Sequence, residues 1–351
     1  APLPRRRAVV DRRGHSGSGE ARGRKSVERF LHLIETILAE EHFCPSCKYT
    51  ATRSLVGGPL LLCCVDMTPR TILFPTDFSG RCDRARDRAI QLASEWRAHL
   101  VLLHVQRDPD PADMLDGLQA AESRLHARLR GEVADPDIPV ETRLATGAVS
   151  QAVLEASTAC GADLIVTGIS RHDDIGDFLI GTTVERMIRH AHAPVLIVKE
   201  KTQHHYRRVL VATDFSGCSA QALRSAMAAF PAAEITLVHA YHVPLEALRG
   251  REGPAAALQA RIAYDLDAFL DRTDLPADAR DRLDINVDYG EVCEVVRNHV
   301  KLSETDLAVI GTHGRSALTV AVLGSTARAL LSRLDCDVLL VRQQPQADAA
   351  V

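Results

Sequence analysis

The strongest constraint on the fold is an internal repeat that takes up most of the chain. The stretch TILFPTDFS at residues 71–79 returns as RVLVATDFS at residues 208–216. Three pairs of glycines share one constant spacing: Gly147 with Gly290, Gly168 with Gly311, and Gly181 with Gly324. Similar segments that recur in the same order indicate two domains of one fold in tandem.

This repeat divides the chain into a first domain at residues 67–200, a second at 207–345 and an extension at 1–66. The start of the extension is rich in Arg, Gly and Ser, which is typical of a disordered or loosely ordered segment. The extension also holds four candidate thiolate ligands for zinc: Cys44, Cys47, Cys63 and Cys64. Zinc ribbons use two spaced cysteine pairs, whereas the second pair here is adjacent. Both a zinc site and a loosely ordered extension stay open.

Charge and hydropathy exclude several classes of function. The chain holds 42 Lys and Arg against 46 Asp and Glu, and residues 1–66 account for only 11 and 7 of these. The two domains are therefore acidic, and we expect no nucleic acid partner, because phosphate backbones require clustered Lys and Arg. No apolar run approaches the ~20 residues of a membrane span. The cysteine count of nine is odd, and the five cysteines beyond residue 66 show no framework spacing, which favours free thiols and a cytoplasmic location.

Short apolar runs rich in Val, Ile and Leu alternate with helical patterns in both repeats. Such runs are typical of strands buried on both faces of a parallel sheet. Alternating strands and helices predict an α/β fold with two tandem, open, doubly wound parallel sheets of the Rossmann type. Ser79 and Ser216 are placed as N-caps of the first helix in each repeat. The last strands, at 195–198 and 338–341, are hydrophobic edges that tend to pair.

A glycine-rich stretch follows the fourth strand of the second repeat. Gly311 and Gly314 are two residues apart, and nine residues separate Gly314 from Gly324. Glycines at a strand-to-helix turn can adopt φ > 0 and let backbone amides approach a ligand. The following helix start adds open N–H groups and a partial positive charge, so the stretch predicts a phosphate-binding loop. The alternative is that turn geometry alone requires these glycines.

The position of Asp214 extends this prediction to a whole nucleotide. Asp214 ends the first strand of its repeat, and Gly311 ends the fourth. In doubly wound sheets, ligands lie beyond the carboxyl ends of strands where the strand order reverses. If these two strands are neighbours, one crevice would hold a nucleoside near Asp214 and phosphates near the glycines.

These residues resemble the universal stress protein family in its tandem-domain form, over about residues 70–342. The resemblance implies sheets of five strands, ATP (or ADP or AMP) with Mg²⁺ on the phosphate tail, and pairing of the two repeats as a pseudo-dimer. It also raises homodimerisation of whole chains as an expectation. The site it implies comprises Ala212, Thr213, Asp214, Ala240, Gly311, Thr312, His313, Gly314, Arg315, Gly324, Ser325 and Thr326.

The first repeat departs from this pattern. It keeps four counterparts of the site: Asp77, Gly168, Gly181 and Thr182. Arg171, however, replaces the second glycine, and its Cβ restricts the backbone. The adjoining loop carries three acids, Asp173, Asp174 and Asp177, each of which would repel a phosphate by about 2–4 kcal/mol at ~4–8 Å before screening. We therefore predict one ATP site per chain, in the second domain.

Three functions compete. A phosphoryl-transfer enzyme needs a base, carboxylates for metal and a cation, and only Asp214, His313 and Arg315 are near the loop. A nucleotide-binding regulatory protein without catalytic residues is therefore favoured over a slow ATPase or phosphotransferase. The third hypothesis is a scaffold, or a binder of apolar ligands, in which both pockets are degenerate. His104 and His239 end their strands singly, which is typical of structural histidines.

Overall fold

The computed structural model describes residues 71–106, 118–171, 178–179, 181–242, 253–314 and 323–343. The extension with its four cysteines, the three aspartates between 173 and 177, and Arg315 lie outside these residues. Within the described ranges, no helix has the length and apolar character needed to cross a membrane. The five cysteines of these ranges are free thiols.

The first repeat alternates strands and helices, with one additional small hairpin. Its elements are β1 (Thr71–Thr76), α1 (Asp83–Trp96), β2 (His99–Gln106), α2 (Leu118–Gly131), β3 (Val140–Thr146), α3 (Val149–Ala159), β4 (Leu164–Gly168), β5 (Ser170–Arg171), β6 (Phe178–Leu179), α4 (Thr182–His190) and β7 (Val195–Val198). The two-residue strands β5 and β6 pair with each other in an antiparallel sheet of their own.

The second repeat follows the same order. Its elements are β8 (Arg208–Ala212), α5 (Gly217–Ala229), β9 (Glu234–Tyr241), α6 (Gly253–Thr273), α7 (Ala277–Asp281), β10 (Asp284–Tyr289), α8 (Val292–Leu302), β11 (Leu307–Gly311), α9 (Ser325–Arg333) and β12 (Asp337–Val341). The short helix α7 has no counterpart among the described elements of the first repeat.

The main strands form one sheet of ten, in the order β10-β9-β8-β11-β12-β7-β4-β1-β2-β3. Neighbours within each repeat are parallel, so each repeat contributes five parallel strands. The α/β parallel fold predicted from the sequence is confirmed. The predicted pairing of the last strands is also present, because β12 runs antiparallel to β7 with Leu339 opposite Leu196.

Burial on both faces explains why these strands are continuously apolar. Alternate residues of β1 belong to different core layers: Ile72 packs on the face with Leu92 of α1, and Leu73 on the face with Met187 of α4. All four residues of β7 are buried. Each repeat therefore has helices on both sides of its half of the sheet, as expected for parallel strands.

A buried polar network joins the linker between the repeats to β12 and α1. Asp337 is fully buried, and its Oδ1 accepts hydrogen bonds from the amides of Lys199 (2.8 Å) and Glu200 (3.0 Å). Its Oδ2 accepts from the Tyr206 hydroxyl at 2.6 Å and lies 3.4 Å from Nε of Arg88. Burial, and secondly the Asp337 charge, raise the pKa of Tyr206 well above its ordinary value. These partners compensate the negative charge of the buried Asp337 carboxylate.

A second polar contact links α4 of the first repeat to α9 of the second. Glu185 accepts from Arg189 at 2.6 Å, one turn further along α4, and also from Arg328 of α9. Burial raises the pKa of the Glu185 carboxyl, but the hydrogen bonds from Arg328 and Arg189 outweigh it, and the pKa is lowered. The ion pair between Glu185 and Arg328 therefore connects the two repeats on one face of the sheet.

Candidate functional site

A cavity of about 590 Å³ opens in the second repeat, at the carboxyl ends of β8 and β11. These two strands are neighbours, and the strand order reverses between them. Every predicted site residue that the structure describes lines this cavity: Ala212, Thr213, Asp214, Ala240, Gly311, Thr312, His313, Gly314, Gly324, Ser325 and Thr326. The residues that the sequence reasoning grouped therefore lie together in one crevice.

The cavity has a second wall that the sequence reasoning missed. It consists mainly of apolar side chains from β9, α8, β11 and α9, together with one hydroxyl: Ser219, Val238, Val292, Val296, Ile310, Leu323, Ala327 and Leu330. In the sequence, these positions carry the same signal as ordinary core residues. Only the spacing of Val292 and Val296, one turn apart at the start of α8, marks a helix face.

The turn after β8 fixes the position of Asp214. Oγ1 of Thr213 accepts from the Phe215 amide at 2.9 Å, and Oδ1 of Asp214 accepts from the Ser216 amide at 3.0 Å. Phe215 has a φ of 60°, a left-handed conformation that is uncommon outside glycine. Ser216 then caps α5 by accepting from the Ser219 amide at 3.2 Å, as predicted. The carboxylate is thus held at the cavity rim by local hydrogen bonds.

The prediction that Ser79 caps the first helix in the same way is wrong. In the first repeat, Cys82 is the N-cap and α1 begins at Asp83. The Cys82 amide donates to the carbonyl of Ser79 at 2.9 Å, which makes an additional turn before the helix. The tripeptide Asp-Phe-Ser is therefore followed directly by a helix in the second repeat, but by an additional turn and then a helix in the first.

His104 and His239 have the structural role that their single placement in the sequence predicted, but β2 and β9 each continue two residues beyond them. Nδ1 of His239 lies 2.8 Å from the Thr213 carbonyl oxygen, and the imidazole stacks on Phe215 with ring centroids 4.0 Å apart. In the first repeat, His104 makes the equivalent bond to Thr76 at 2.9 Å. Because a carbonyl oxygen only accepts, Nδ1 carries the proton in both.

The glycines of the loop have different roles. A Cβ on Gly311 would lie 3.0 Å from Sγ of Cys218 and 3.2 Å from the Ser219 amide nitrogen. A Cβ on Gly314 would instead lie 2.7 Å from Oδ2 of Asp214. Close packing of α5 therefore requires glycine at 311, whereas the position of the cavity carboxylate requires it at 314.

None of the three loop glycines adopts the positive φ that the sequence interpretation allowed. Gly324 is the N-cap of α9, with φ of −58° and ψ of 148°, and its amide donates to the Thr312 carbonyl at 3.0 Å. No side chain caps this helix. The first amides of α9, at Ser325 and Thr326, therefore begin a helix at the cavity, and no side chain of the described residues is bonded to them.

The first repeat arranges the counterpart residues differently. Oδ1 of Asp77 accepts from the Ser79 amide at 2.9 Å and from Sγ of Cys82 at 3.2 Å. Burial raises the pKa of Asp77, but the bonds from Ser79 and Cys82 outweigh it and lower the pKa. Arg171, the counterpart of Gly314, belongs to strand β5 and pairs with Phe178 of β6, a hairpin that the sequence did not predict. Gly181 and Thr182 form the start of α4.

The donors available for a metal are few. Among the described residues, no group of three or more His, Cys, Asp or Glu side chains could hold a metal ion. Of the described residues that line the cavity, only Asp214 and His313 have titratable side chains. Nδ1 of His313 is hydrogen-bonded to Oγ1 of Thr312 at 2.7 Å.

Comparison with known proteins gives one family. The model of the universal stress protein family matches residues 68–199 and again residues 205–342. A universal stress protein E homolog from Haemophilus influenzae is 24% identical over 237 residues, which are 61% of this chain and 74% of that protein. A universal stress protein from Methanocaldococcus jannaschii is 27% identical over 141 residues, which are 37% of this chain and 82% of that protein.

Solved structures show the same fold. A universal stress protein from Archaeoglobus fulgidus aligns with a TM-score of 0.57 and covers 78% of this chain and 99% of its own. Because the two sequences are only 16% identical, this similarity shows the fold alone.

Proposed function

The chain belongs to the universal stress protein family, and we propose that its second repeat binds one ATP as a regulatory nucleotide. The observation that supports this most is the cavity between β8 and β11, which has a carboxylate at one end and an uncapped helix start at the other. Its volume of about 590 Å³ lies within the usual range for small-molecule sites.

The nucleoside would lie at the Asp214 end. The apolar side chains of Val238, Val292 and Val296 offer a dry surface for a purine ring. The Asp214 carboxylate can accept hydrogen bonds from sugar hydroxyls, and Gly314 leaves room for it because a Cβ there would lie 2.7 Å from Oδ2. The residues present therefore fit a nucleoside.

The phosphates would lie at the start of α9. The open amides at Ser325 and Thr326 and the hydroxyls of the same residues are donors suited to phosphate oxygens. Mg²⁺ would be held by the phosphates themselves, because Asp214 is the only carboxylate that lines the cavity among the described residues. Bound Mg²⁺ would offset the negative charge of the phosphate tail.

Binding without turnover fits the described side chains better than catalysis. Among the described residues, a base for phosphoryl transfer would have to be Asp214 or His313, the two with titratable side chains in the cavity lining. Oδ1 of Asp214 is engaged by the Ser216 amide, and Nδ1 of His313 by Thr312. We infer that the nucleotide is a regulatory ligand of a cytoplasmic protein, and homodimerisation stays a prediction.

Calorimetric titration of the full chain with Mg·ATP tests the proposal. We expect one site per chain, lost in Gly324→Val, whose side chain would occupy the start of α9. Gly181→Val is the matched control, because a Cβ at the equivalent position of the first repeat meets nothing within 4 Å. It should bind ATP as the wild type does.

Three results would contradict parts of this proposal. The absence of ATP binding by the wild type, with an apolar ligand bound instead, would reject the nucleotide. Two equivalent ATP sites would reject the distinction between the repeats. Turnover of ATP at ~1 s⁻¹ or faster would reject binding without catalysis.

A further inference from the structure

The first repeat contains a cavity of about 450 Å³ between the starts of α3 and α4. The first turns of both helices line it, and Arg186 and Arg189 of α4 complete its wall. It is separate from the proposed ATP site, which lies in the other repeat.

The start of α3 lacks the acidic cap that its counterpart has. In the second repeat, Oε2 of Glu291 accepts from the amides of Cys293 at 2.9 Å and Glu294 at 3.1 Å, and so caps α8. The equivalent residue of α3 is Ala148, which makes no side-chain cap. The backbone is nearly the same, with φ and ψ of −71° and 116° at Ala148 and −70° and 135° at Glu291. The second repeat thus has a carboxylate at this helix start, and the first repeat has none from the equivalent residue.

A largely buried serine lies at the same place. Ser150 lines the cavity and is only 7% exposed, and its hydroxyl makes no hydrogen bond to any residue that the structure describes. Its counterpart in α8 is Cys293, whose thiol is only a weak donor and has little need of a hydrogen-bond partner. Because Ser150 lines the cavity, its hydroxyl can donate a hydrogen bond to a ligand oxygen there.

The charge around the cavity is positive. Arg186 is exposed and forms no ion pair with the described residues. Arg189 pairs with Glu185, the acid in the cavity wall, but Glu185 also binds Arg328 of the second repeat. The cavity wall therefore holds two arginines, Arg186 and Arg189, against one carboxylate that is already paired, and the partial positive charges of two helix starts add to them.

We propose that this cavity binds a compact phosphate-bearing anion, either inorganic phosphate or a small phosphomonoester. The anion would take the place that the Glu291 carboxylate has in the second repeat, accept from the first amides of α3 and from Ser150, and face Arg186. Both arginines and open amides are groups that proteins use to bind phosphate.

The decisive variant is Ala148→Glu, which restores the missing carboxylate. We expect the wild type to bind inorganic phosphate and glycerol 3-phosphate saturably in the low millimolar range or below, as followed by calorimetry at low ionic strength. Ala148→Glu should weaken this binding at least tenfold, because its own carboxylate occupies the site. It should also raise the melting temperature by roughly 2 °C through the new cap.

Two controls separate this site from the ATP site and from a folding defect. Ala148→Gln adds a side chain of the same shape without charge and should weaken phosphate binding by less than about threefold. ATP affinity should be unchanged in both variants, and the phosphate heat that Ala148→Glu removes reports this cavity alone. Tighter binding of glycerol 3-phosphate than of phosphate would identify a phosphomonoester as the ligand, and the reverse would identify the free ion.

The proposal is overturned if the wild type shows no saturable phosphate binding, or if Ala148→Glu binds phosphate as tightly as the wild type. Should Ala148→Glu fail to fold, Ser150→Ala and Arg186→Gln provide the second measurement. Each should weaken phosphate binding about threefold to tenfold, and wild-type affinity in both would equally reject the site.

Discussion

Alanine substitution at the loop glycines should separate a packing role from a ligand role. The two residues are close in sequence, yet a Cβ would meet different groups. At Gly311 it would press on the backbone and Sγ of Cys218, at 3.2 and 3.0 Å, and on the Ser219 amide. At Gly314 the one described group that it would meet within 4 Å is the Asp214 carboxylate, with Oδ2 at 2.7 Å and Cγ at 3.8 Å. Backbone cannot yield easily, whereas the end of a side chain can rotate.

The two substitutions should therefore differ in kind. Overpacking at Gly311 costs typically about 1–3 kcal/mol, which lowers the melting temperature by roughly 2–10 °C in a domain of this size. Gly314→Ala should leave the melting temperature nearly unchanged, because Asp214 turns away. The displaced carboxylate would lose a charged hydrogen bond to the nucleotide, worth about 1.5–3 kcal/mol, so ATP should bind about 10- to 150-fold more weakly.

Thermal unfolding and ATP titration of the same samples make the comparison. Gly181→Ala serves as the control, since a Cβ there meets nothing within 4 Å, and both of its values should match the wild type. The reasoning is refuted if Gly311→Ala keeps its melting temperature, or if Gly314→Ala loses stability and not affinity.

Two further predictions concern the contacts between the repeats. Asp337→Asn should destabilise the protein by about 3 kcal/mol in urea unfolding, because it leaves the buried Arg88 guanidinium without a charged partner. The control is Glu304→Gln in an exposed pair, which should change the stability by at most about 0.5 kcal/mol, and equal losses in both variants would refute this difference. Because the pKa of Glu185 is lowered in the folded state, its contribution is present above the unfolded value of 4.5 and is lost as pH falls through the folded pKa. Glu185→Gln should therefore melt lower than the wild type at pH 7, with a gap that closes as the pH falls below 4.5, and a gap that persists there would contradict the ion pair.

Much of the fold could be predicted because the sequence patterns that indicate its strands and helices are local, and each pattern occurs in both repeats. Apolar runs such as residues 195–198 have the pattern of strands buried on both faces, and the repeat assigns each strand a partner copy. The same reasoning brought Asp214 and Gly314 together, since the carboxyl ends of neighbouring parallel strands must share one edge. These inferences need only the order of the elements.

The functions of individual glycines could not be predicted. Gly311 and Gly314 are the same residue type in the same turn. The start of α5 requires glycine at 311, whereas the Asp214 carboxylate requires it at 314. The contact that decides between them comes from residues almost a hundred positions away in the chain. Sequence spacing carries no information about that distance.

The Asp337 network was missed for a similar reason. Its members come from α1, the linker and the start of β12, and none of them lies in a periodic pattern. Tyr206 and Asp337 are hydrogen-bonded across 131 residues of sequence. A charged residue at a strand start has the same signal as ordinary surface until the partners are in place. Buried polar contacts between repeats therefore require the structure.

The two repeats differ at two equivalent helix starts, and the differences are complementary. The second repeat leaves the start of α9 open and fills the start of α8 with its own Glu291 carboxylate. The first repeat has an arginine and a hairpin before α4, where Gly314 stands in the second, and leaves the start of α3 without an acid. The repeats thus hold two copies of each helix start, and under the two proposals the residue before each start decides which copy can bind an anion. If both proposals hold, the repeats bind different ligands, and the replacement of the second loop glycine by Arg171 does not imply that the first repeat binds nothing.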